Sequence, residues 1–408
     1  MIVKEYIKDF EKLGFGMFVH FGAYSVLGKG EWAKNIHSIP DTEYESYVKA
    51  FQPDKDWAKN LVATAKKAGC KYITLTTRHH DGYSLYDTLG LNEYDAPHYC
   101  GRDLVREFVD ACNEGGIVPF FYHTLLDWWE KSYQEDFKGY LKYLRRSVEI
   151  LCTQYGKIGG IWFDGMWDKK DEDWEEDALY SMIRSHQPTA MIINNTGLSA
   201  LGALGHIELD SVTFERGKPE PINMAGSPKY VASEMCEIFA DHWGYAKLDF
   251  NFKSLRQMIE EYCECRKYGC NFLLNVGPMG NGQIRPLDKA MLETLGEWAK
   301  LNEEALFLPR PCGVEMPEGK KDFVLEKDGV YYLFCYDLAM ALGDANVVKA
   351  MAGDTMKKFK FDKTIKKVTW LDNGEEVPFE QKDGETTVFC TPYAYGANYV
   401  VRIAKMEL

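Results

Sequence analysis

Short apolar runs alternate with longer amphipathic stretches over the first three quarters of the chain. The runs have the length of buried strands and are rich in β-branched and aromatic residues. They lie at 16–22, 72–80, 117–125, 160–167, 190–196, 210–215, 230–238 and 271–278. The pattern between them predicts helices at 54–68, 102–113, 134–155 and 255–268, and a further helix at 286–304.

The repeated strand-then-helix order predicts parallel strands joined by right-handed crossovers. Eight strand candidates favour a closed (β/α)₈-like barrel over an open sheet. Residues 197–250 are the least regular part, so the sixth and seventh strands have the weakest pattern. We therefore expect a TIM-type barrel in the α/β class over 1–308.

The texture of the chain changes after Leu308. The stretch PRPCGVEMPEG resembles a linker, and the segments that follow alternate apolar and polar residues between DG, DNG and KDG turns. This pattern predicts an antiparallel β-sandwich domain over 309–408.

Composition narrows the choice of partners. The 408 residues carry a net charge of −14, which disfavours nucleic acid and anionic membranes as partners. No run approaches 18 apolar residues. The 11 cysteines are scattered and lack zinc-site spacing, which indicates buried, reduced thiols.

The start of the chain lacks the features of a signal peptide, so we expect a cytoplasmic protein, although a chain whose signal had been removed would look the same. Composition leaves the oligomeric state open, a homo-oligomer included.

Polar side chains cluster where the predicted strands end, which in this fold is the face that carries active sites. The residues at these strand ends are His20, His79, His80, Asp81, Tyr122, His123 and Asp164. Adjacent strand residues point to opposite faces, so one of the two consecutive histidines faces away unless the strand bends at its end. The N–H donors of the histidines suit sugar hydroxyls, and Trp162, Phe163 and Trp167 around Asp164 favour a sugar site.

Hydrolysis of a glycoside needs two carboxyl groups, so Asp164 needs a partner from a later strand end. The candidates are Glu215, Glu234 and Glu237. The segment around Glu234 and Glu237 is apolar enough to raise the pKa of a carboxyl group, as a general acid requires. Arg216 follows Glu215 and is expected to keep that carboxylate ionised and structural.

A series of motifs in the same order resembles the α-L-fucosidases of glycoside hydrolase family 29. The matching pieces are MFVHFGAYSV, GEW at 30–32, KYITLTTRHHDGYSLYDT, GRDLVREFVDAC, FYHTLLDWW, IWFDG, the D-x-x-T-x-E pattern at 210–215, WGY at 243–245 and NFLLNVGPMGNGQIRP. Together they span nearly all of residues 10–310, whereas the C-terminal domain matches by position and texture only.

The resemblance implies a retaining exo-α-L-fucosidase that acts on fucosylated oligosaccharides or glycosides and needs no metal or organic cofactor. Asp164 resembles the family's nucleophile. Glu234 resembles the acid/base, with Glu237 and Glu215 left open because Ser233 replaces the Trp that often precedes that Glu. The residues assigned to the fucose pocket are His20, Glu31, Trp32, His79, His80, Tyr122, Trp162, Arg216 and Trp243.

Two other functions compete with this interpretation. Histidine and aspartate at strand ends also bind zinc in amidohydrolase-type barrels, but those begin with HxH on the first strand, where this chain has His20-Phe21-Gly22. A carbohydrate-binding protein on an inactive hydrolase scaffold is less favoured because Asp164 is intact.

Overall fold

The structure is a computed structural model that describes residues 1–341 and 353–408. Eight parallel strands pair in chain order, and the eighth pairs with the first to close a barrel. They are β1 Phe15–Val19, β2 Tyr72–Arg78, β3 Val118–Thr124, β4 Gly160–Asp164, β5 Met191–Asn194, β6 Ser211–Glu215, β7 Ala232–Ile238 and β8 Asn271–Val276. All eight fall on predicted runs, including the two in the irregular region, so the predicted (β/α)₈-like barrel is confirmed.

The bounds of the helices are α1 Glu5–Leu13, α2 Tyr24–Leu27, α3 Ala33–Ile36, α4 Asp41–Ala50, α5 Trp57–Ala68, α6 Ala96–Cys100, α7 Leu104–Gly115, α8 Ser132–Glu135, α9 Phe137–Gln154, α10 Glu176–His186, α11 Leu255–Lys267, α12 Pro286–Leu301 and α13 Glu303–Leu306. The five predicted helices are present as α5, α7, α9, α11 and α12, whereas the described segments between β5 and β6 and between β6 and β7 contain no helix. A 3₁₀ helix covers Met166–Lys169, directly after β4.

Helix α1 closes the N-terminal end of the barrel. The ring of Phe10 lies 5.6 Å from that of Tyr72 and 5.7 Å from that of Phe120, both inside the barrel. The Phe10 carbonyl also accepts a hydrogen bond of 2.8 Å from the Asn271 side chain at the start of β8. The barrel interior above α1 is a packed apolar and aromatic cluster, so the barrel opens only at its C-terminal end.

A glycine on β1 makes room for the largest ring in this floor. A Cβ atom at Gly16 would lie 2.4 Å from the Tyr72 ring, closer than real Cβ contacts occur. Any larger residue at Gly16 would therefore displace Tyr72, whose hydroxyl holds a buried carboxyl group described below.

The C-terminal region forms two antiparallel sheets. Their strands are β9 Arg310–Pro311, β10 Phe323–Lys327, β11 Val330–Tyr336, β12 Lys357–Lys360, β13 Lys367–Trp370, β14 Phe379–Lys382, β15 Glu385–Val388 and β16 Val401–Glu407. One sheet has the order β13-β16-β11-β10-β9 and the other β12-β15-β14. Leu333 of the first sheet and Phe359 and Val388 of the second belong to one buried cluster. This sharing of a core is what a sandwich predicts.

The chain divides into two compact units. The first comprises Met1–Lys253 and Cys270–Thr294, and the second Ser254–Gly269 and Leu295–Leu408. This division differs from the predicted boundary at 308 because α11 and the end of α12 group with the C-terminal strands. None of the helices in the described ranges combines the length and the apolar character that a membrane crossing requires. Nine of the eleven cysteines are buried, as their apolar sequence contexts predict.

Candidate active site

A cavity of about 390 Å³ opens at the C-terminal ends of the barrel strands. This volume falls within the range of small-molecule sites. The residues around it come from most of the eight strands and the loops that follow them. They are Phe18, His20, Glu31, Trp32, His79, His80, Tyr122, Trp162, Asp164, Trp167, Asn195, Gly197, Leu198, Ser199, Glu215, Cys236 and Trp243.

Asp164 is the last residue of β4, and its carboxylate is held by three donors. One oxygen, Oδ2, accepts a bond of 3.0 Å from the Tyr122 hydroxyl. The other, Oδ1, accepts from Asn195 Nδ2 at 3.1 Å and from Trp167 Nε1 at 3.3 Å. The following Gly165 has φ of 101°, a conformation that side chains rarely adopt. The strand end and this turn thus direct the carboxylate into the cavity in a fixed orientation.

Glu215 is the last residue of β6 and shares a donor with Asp164. The Asn195 amide nitrogen donates to Glu215 Oε2 at 2.7 Å as well as to Asp164 Oδ1 at 3.1 Å. Two oxygens bonded to one nitrogen cannot be farther apart than the sum of the two bonds, here about 5.8 Å. Retaining glycosidases have their carboxyl groups about 5–5.5 Å apart, and inverting enzymes about 6.5–9.5 Å. The two oxygens bonded to Asn195 therefore lie closer together than the carboxyl groups of inverting enzymes.

The environment of Glu215 raises its pKa above the ordinary value, chiefly because the carboxyl group is buried and further because Asp164 is near. The Asn195 bond and the charge of Arg216 act in the opposite direction but are smaller. Arg216 is exposed, has φ of 49° and does not line the cavity. The structure therefore does not place Arg216 at the cavity, and the charge of Arg216 lowers the pKa of Glu215 by less than burial raises it.

Glu234 lies beneath the cavity and does not line it. In the pairing of β6 with β7, Glu234 of β7 lies beside Thr213 of β6, whereas Glu215 of β6 lies beside Cys236 of β7. Glu234 is therefore two residues, or about 6.6 Å, deeper in the barrel than Glu215. Its carboxyl group accepts bonds from the Tyr72 hydroxyl at 2.5 Å and from Trp162 Nε1 at 2.9 Å. The structure thus does not bring Glu234 together with Asp164 at the cavity, contrary to the assignment from the resemblance.

Glu237, the other alternative, faces away from the cavity. Successive strand residues alternate between faces, so Glu237 lies on the opposite side of β7 from Cys236, which lines the cavity. Its carboxylate forms a salt bridge with Lys253 and accepts a bond of 2.7 Å from the backbone N–H of Ile238. This is a structural ion pair on the outside of the barrel.

Burial raises the pKa of Glu234 to about 7, more than its two hydrogen bonds lower it. Because this pKa exceeds the ordinary value of 4.5, the folded protein binds the proton more tightly than the unfolded chain, and stability falls as the pH rises from 4.5 to 7. Glu234→Gln removes this dependence. We expect the free energy of unfolding of the variant, relative to the wild type, to rise by about 3 kcal/mol across this window.

Denaturant unfolding of both proteins at a series of pH values measures this difference. Other titrating groups cancel in the comparison, since both proteins contain them. A difference that does not change between pH 4.5 and 7 would show that the pKa of Glu234 is ordinary.

Both histidines of the consecutive pair line the cavity, together with His20. The pairing of β2 with β3 shifts register between Thr76 and Arg78, so the strand bends just before His79 and His80. Burial lowers the pKa of His20 to about 3 and of His80 to about 4, and it lowers that of His79 well below its usual value. All three rings are therefore neutral at pH 7.

Aromatic rings form the walls and the rim. Trp162 stacks on Tyr122 with ring centres 5.7 Å apart, and Trp243 lies 5.2 Å from the His20 ring. At the rim, Trp32 stacks on Trp167 with ring centres 5.9 Å apart, and Trp167 is 39% exposed. Apolar faces with polar groups between them suit a sugar ring.

Glu31 also lines the cavity and is held by the loop after β7. Its Oε2 accepts a bond of 2.7 Å from the backbone N–H of Gly244, and burial raises the pKa of its carboxyl group. Of the nine residues predicted for the pocket, eight thus line the cavity and Arg216 does not.

Sequence reasoning missed Asn195, which bonds both carboxylates. The signal was present, because Asn195 directly follows β5 and so occupies the same strand-end level as Asp164 and Glu215. Trp167 was noted only as a flanking aromatic residue, whereas its ring nitrogen contacts Asp164.

Two alternatives to this cavity as the functional site, a metal centre and a second groove, have less support. In the ranges 1–341 and 353–408, no three His, Cys, Asp or Glu side chains are grouped to hold a metal ion. A larger, more open groove of about 1020 Å³ lies in the C-terminal region, among Lys360, Lys363, Lys382 and Glu385. Its lining shows no convergence of hydrogen-bonded carboxyl groups like that around Asn195.

Comparison with known proteins identifies a family for this chain. The sequence model of the α-L-fucosidase family matches residues 3–304, the range that carries the barrel. Tissue α-L-fucosidase of Bos taurus is 29% identical over 79% of this chain and 71% of its own length. That of Mus musculus is 28% identical over 80% of this chain and 77% of its own length.

Solved structures share the fold across both regions. α-L-Fucosidase isoenzyme 1 from Paenibacillus thiaminolyticus superposes with a TM-score of 0.82, 26% identity and 99% of each chain covered. A family 29 α-L-fucosidase from Bacteroides thetaiotaomicron, trapped as a covalent intermediate with 2-fluoro-fucosyl fluoride, gives 0.82 and 23% identity over 99% of this chain and 96% of its own. The family match covers most of this chain and all eight barrel strands, and the chain belongs to the α-L-fucosidases, a family of glycoside hydrolases.

Proposed function

We propose that this chain is an exo-acting α-L-fucosidase that hydrolyses terminal α-L-fucosides with retention of configuration, Asp164 being the nucleophile and Glu215 the acid/base. The observation that carries the proposal is the single Asn195 amide nitrogen bonded to both carboxylates. It limits their separation to a value that leaves room for a covalent intermediate but not for an attacking water between them.

Asp164 is suited to attack. The three hydrogen-bond donors orient the carboxylate. One carboxylate oxygen can give up its hydrogen bonds as it forms a bond to the anomeric carbon. In this step the Asp164 oxygen bonds to the anomeric carbon and the glycosidic C–O bond breaks. The product is a β-linked fucosyl-enzyme ester, since the attack inverts the α-configuration.

Glu215 is suited to transfer the proton. Its raised pKa keeps the carboxyl group protonated to higher pH than an ordinary glutamic acid, so it can protonate the departing oxygen. The carboxylate that remains then takes a proton from a water molecule, and the resulting attack breaks the ester and releases α-L-fucose. No atom or electron is required beyond substrate and water.

The shape of the cavity supports action at the end of a glycan. The floor of Phe18, Tyr122 and Trp162 closes the cavity below, so a chain cannot pass through it. The cavity has three histidines for hydroxyl groups and aromatic walls for the apolar face of the sugar. A covalent intermediate with a fucosyl group in a solved relative of the same fold agrees with the proposed chemistry.

The stereochemistry of the first product tests the proposal. We expect α-L-fucose to appear first during hydrolysis of an aryl α-L-fucoside, because two inversions restore the configuration. Proton NMR in the first minutes, before mutarotation, distinguishes the anomers. Initial β-L-fucose would contradict the double displacement, and no hydrolysis of any α-L-fucoside would contradict the proposed activity.

A further inference from the structure

Thr124, beside the cavity, determines which nitrogen of His80 carries the proton. The Thr124 hydroxyl lies 2.5 Å from the Leu126 carbonyl oxygen and 2.7 Å from His80 Nδ1. A hydroxyl has one proton, and a carbonyl can only accept, so Thr124 donates to Leu126. Thr124 must then accept from His80, which places the imidazole proton on Nδ1.

Asn275 acts on His20 in the same way. The Asn275 amide nitrogen donates to the Trp243 carbonyl at 2.7 Å, which turns the amide oxygen towards His20 Nδ1 at 2.6 Å. The reverse orientation of the amide would place two acceptors against each other. The Asn275 oxygen therefore accepts a proton that resides on His20 Nδ1.

The free edges of the two rings are then acceptors. A neutral imidazole with a proton on Nδ1 has a lone pair on Nε2. His80 Nε2 lies 3.6 Å from Asp164 Oδ2, too far for a direct hydrogen bond, as expected of two acceptors. His79 differs, since its buried Nδ1 meets no hydrogen-bond partner in the described chain.

We infer that Thr124 and Asn275 are positioning residues that hold His80 and His20 as Nδ1–H tautomers, so that two ring nitrogens accept hydrogen bonds from ligand hydroxyls. This reverses the expectation from sequence that these histidines donate. Together with the Asp164 carboxylate, these two ring nitrogens recognise ligand hydroxyl groups as donors. That the hydroxyls belong to L-fucose rests on the proposed function.

The tautomers are measured on the free protein, without any ligand. Nitrogen-15 NMR of the imidazole rings, assigned with His20→Gln and His80→Gln, distinguishes protonated from bare ring nitrogens. We expect both rings to be protonated on Nδ1 alone at pH 7. A proton on Nε2 of either ring would overturn the inference for that ring.

Substitution of Thr124 tests the cause. Thr124→Val keeps the shape and removes the acceptor, so the Nε2–H tautomer of His80 should appear and inhibition by L-fucose should weaken about tenfold. Thr124→Ser should restore the Nδ1–H tautomer. Thr77→Val is the matched control, because the Thr77 hydroxyl is equally buried but donates to the Tyr122 backbone carbonyl at 2.7 Å rather than bonding to a histidine. An unchanged His80 tautomer in Thr124→Val would overturn the role of Thr124.

Deoxy and deoxyfluoro analogues of L-fucose test the ligand side. Fluorine accepts but cannot donate, so at the ring positions that contact His20 and His80 the fluoro analogue should inhibit as weakly as the deoxy analogue. Parent-like inhibition by every fluoro analogue would overturn the inference. A protein with both Nδ1–H tautomers but no activity on fucosides would contradict the proposed function alone.

Discussion

Replacing Asp164 by alanine is expected to lower kcat on an aryl α-L-fucoside by roughly 10⁴- to 10⁶-fold, the range of losses seen when a protease loses one residue of its catalytic triad. The loss is expected to be large because no other carboxylate that lines the cavity can take the place of Asp164. Asp164 alone among them lies on β4 and is oriented by Tyr122, Trp167 and Asn195. Activity measured on protein whose folding is verified by circular dichroism checks the result.

The matched control is Asp168→Ala. Asp168 lies four residues further on, and its carboxylate accepts a bond of 2.6 Å from Tyr133 outside the cavity. This variant should retain activity within a few-fold. Azide should partly rescue Asp164→Ala, because the vacated space admits a small anion that attacks in place of the carboxylate, and the product should be β-fucosyl azide. Activity close to wild type in a folded Asp164→Ala protein would remove Asp164 from the mechanism.

Replacing Glu215 by alanine is expected to have an effect that depends on the leaving group. General acid catalysis contributes roughly 10²- to 10⁴-fold, and it matters most when the departing oxygen is a poor leaving group. Glu215→Ala should therefore lose activity in this range on a fucosyl oligosaccharide. It should lose far less in the first step on a dinitrophenyl fucoside, whose leaving group needs no proton. Burst kinetics with the dinitrophenyl substrate isolate that step.

Glu234→Gln is the comparison that separates the two glutamates. Because its carboxyl group lies beneath the cavity and binds only Tyr72 and Trp162, Glu234→Gln should change activity on both substrates by the same small factor. If Glu234→Gln instead showed the leaving-group dependence and Glu215→Ala did not, the acid/base assignment would return to Glu234.

The pH dependence gives a second signature of Glu215. Only the protonated carboxyl group can donate, so kcat/KM should fall as the pH rises through its pKa, which burial raises. The basic limb of the wild-type profile should therefore lie above the ordinary range of a glutamic acid. In Glu215→Ala the residual activity on the fucosyl oligosaccharide, whose leaving group needs a proton, should lack this limb.

The strands were predictable because each is buried on both faces and so forms a continuous apolar run. The level of a residue along a strand was harder to predict. Glu234 has the apolar surroundings of a general acid, and its pKa is indeed raised, but these surroundings are those of the barrel floor. Only the pairing of Thr213 with Glu234 shows that it lies one layer too deep.

The strand-end rule that identified Asp164 would also have favoured Glu215, the last residue of β6. Arg216 is no guide to the environment of Glu215, because neighbours in a sequence need not share an environment: Arg216 is exposed, whereas Glu215 lines the cavity. The hydrogen bonds of Thr124 and Asn275 lay beyond sequence reasoning altogether. One depends on a contact between Asn275 and His20, which are 255 residues apart in the chain. The other depends on the orientation of the Thr124 hydroxyl, which is fixed by its bond to the Leu126 carbonyl.

The packed floor above α1 also sets the order in which products leave. If the sugar occupies the closed end of the cavity, as proposed, the aglycone lies nearer the mouth, at the rim formed by Trp32 and Trp167, and the sugar beneath it cannot depart first. Water therefore reaches the fucosyl-enzyme only after the aglycone has gone, and fucose follows last by the same route. In product-inhibition kinetics, fucose should therefore compete with the substrate for the free enzyme. The aglycone should instead bind the fucosyl-enzyme and reverse the first step, which regenerates the substrate.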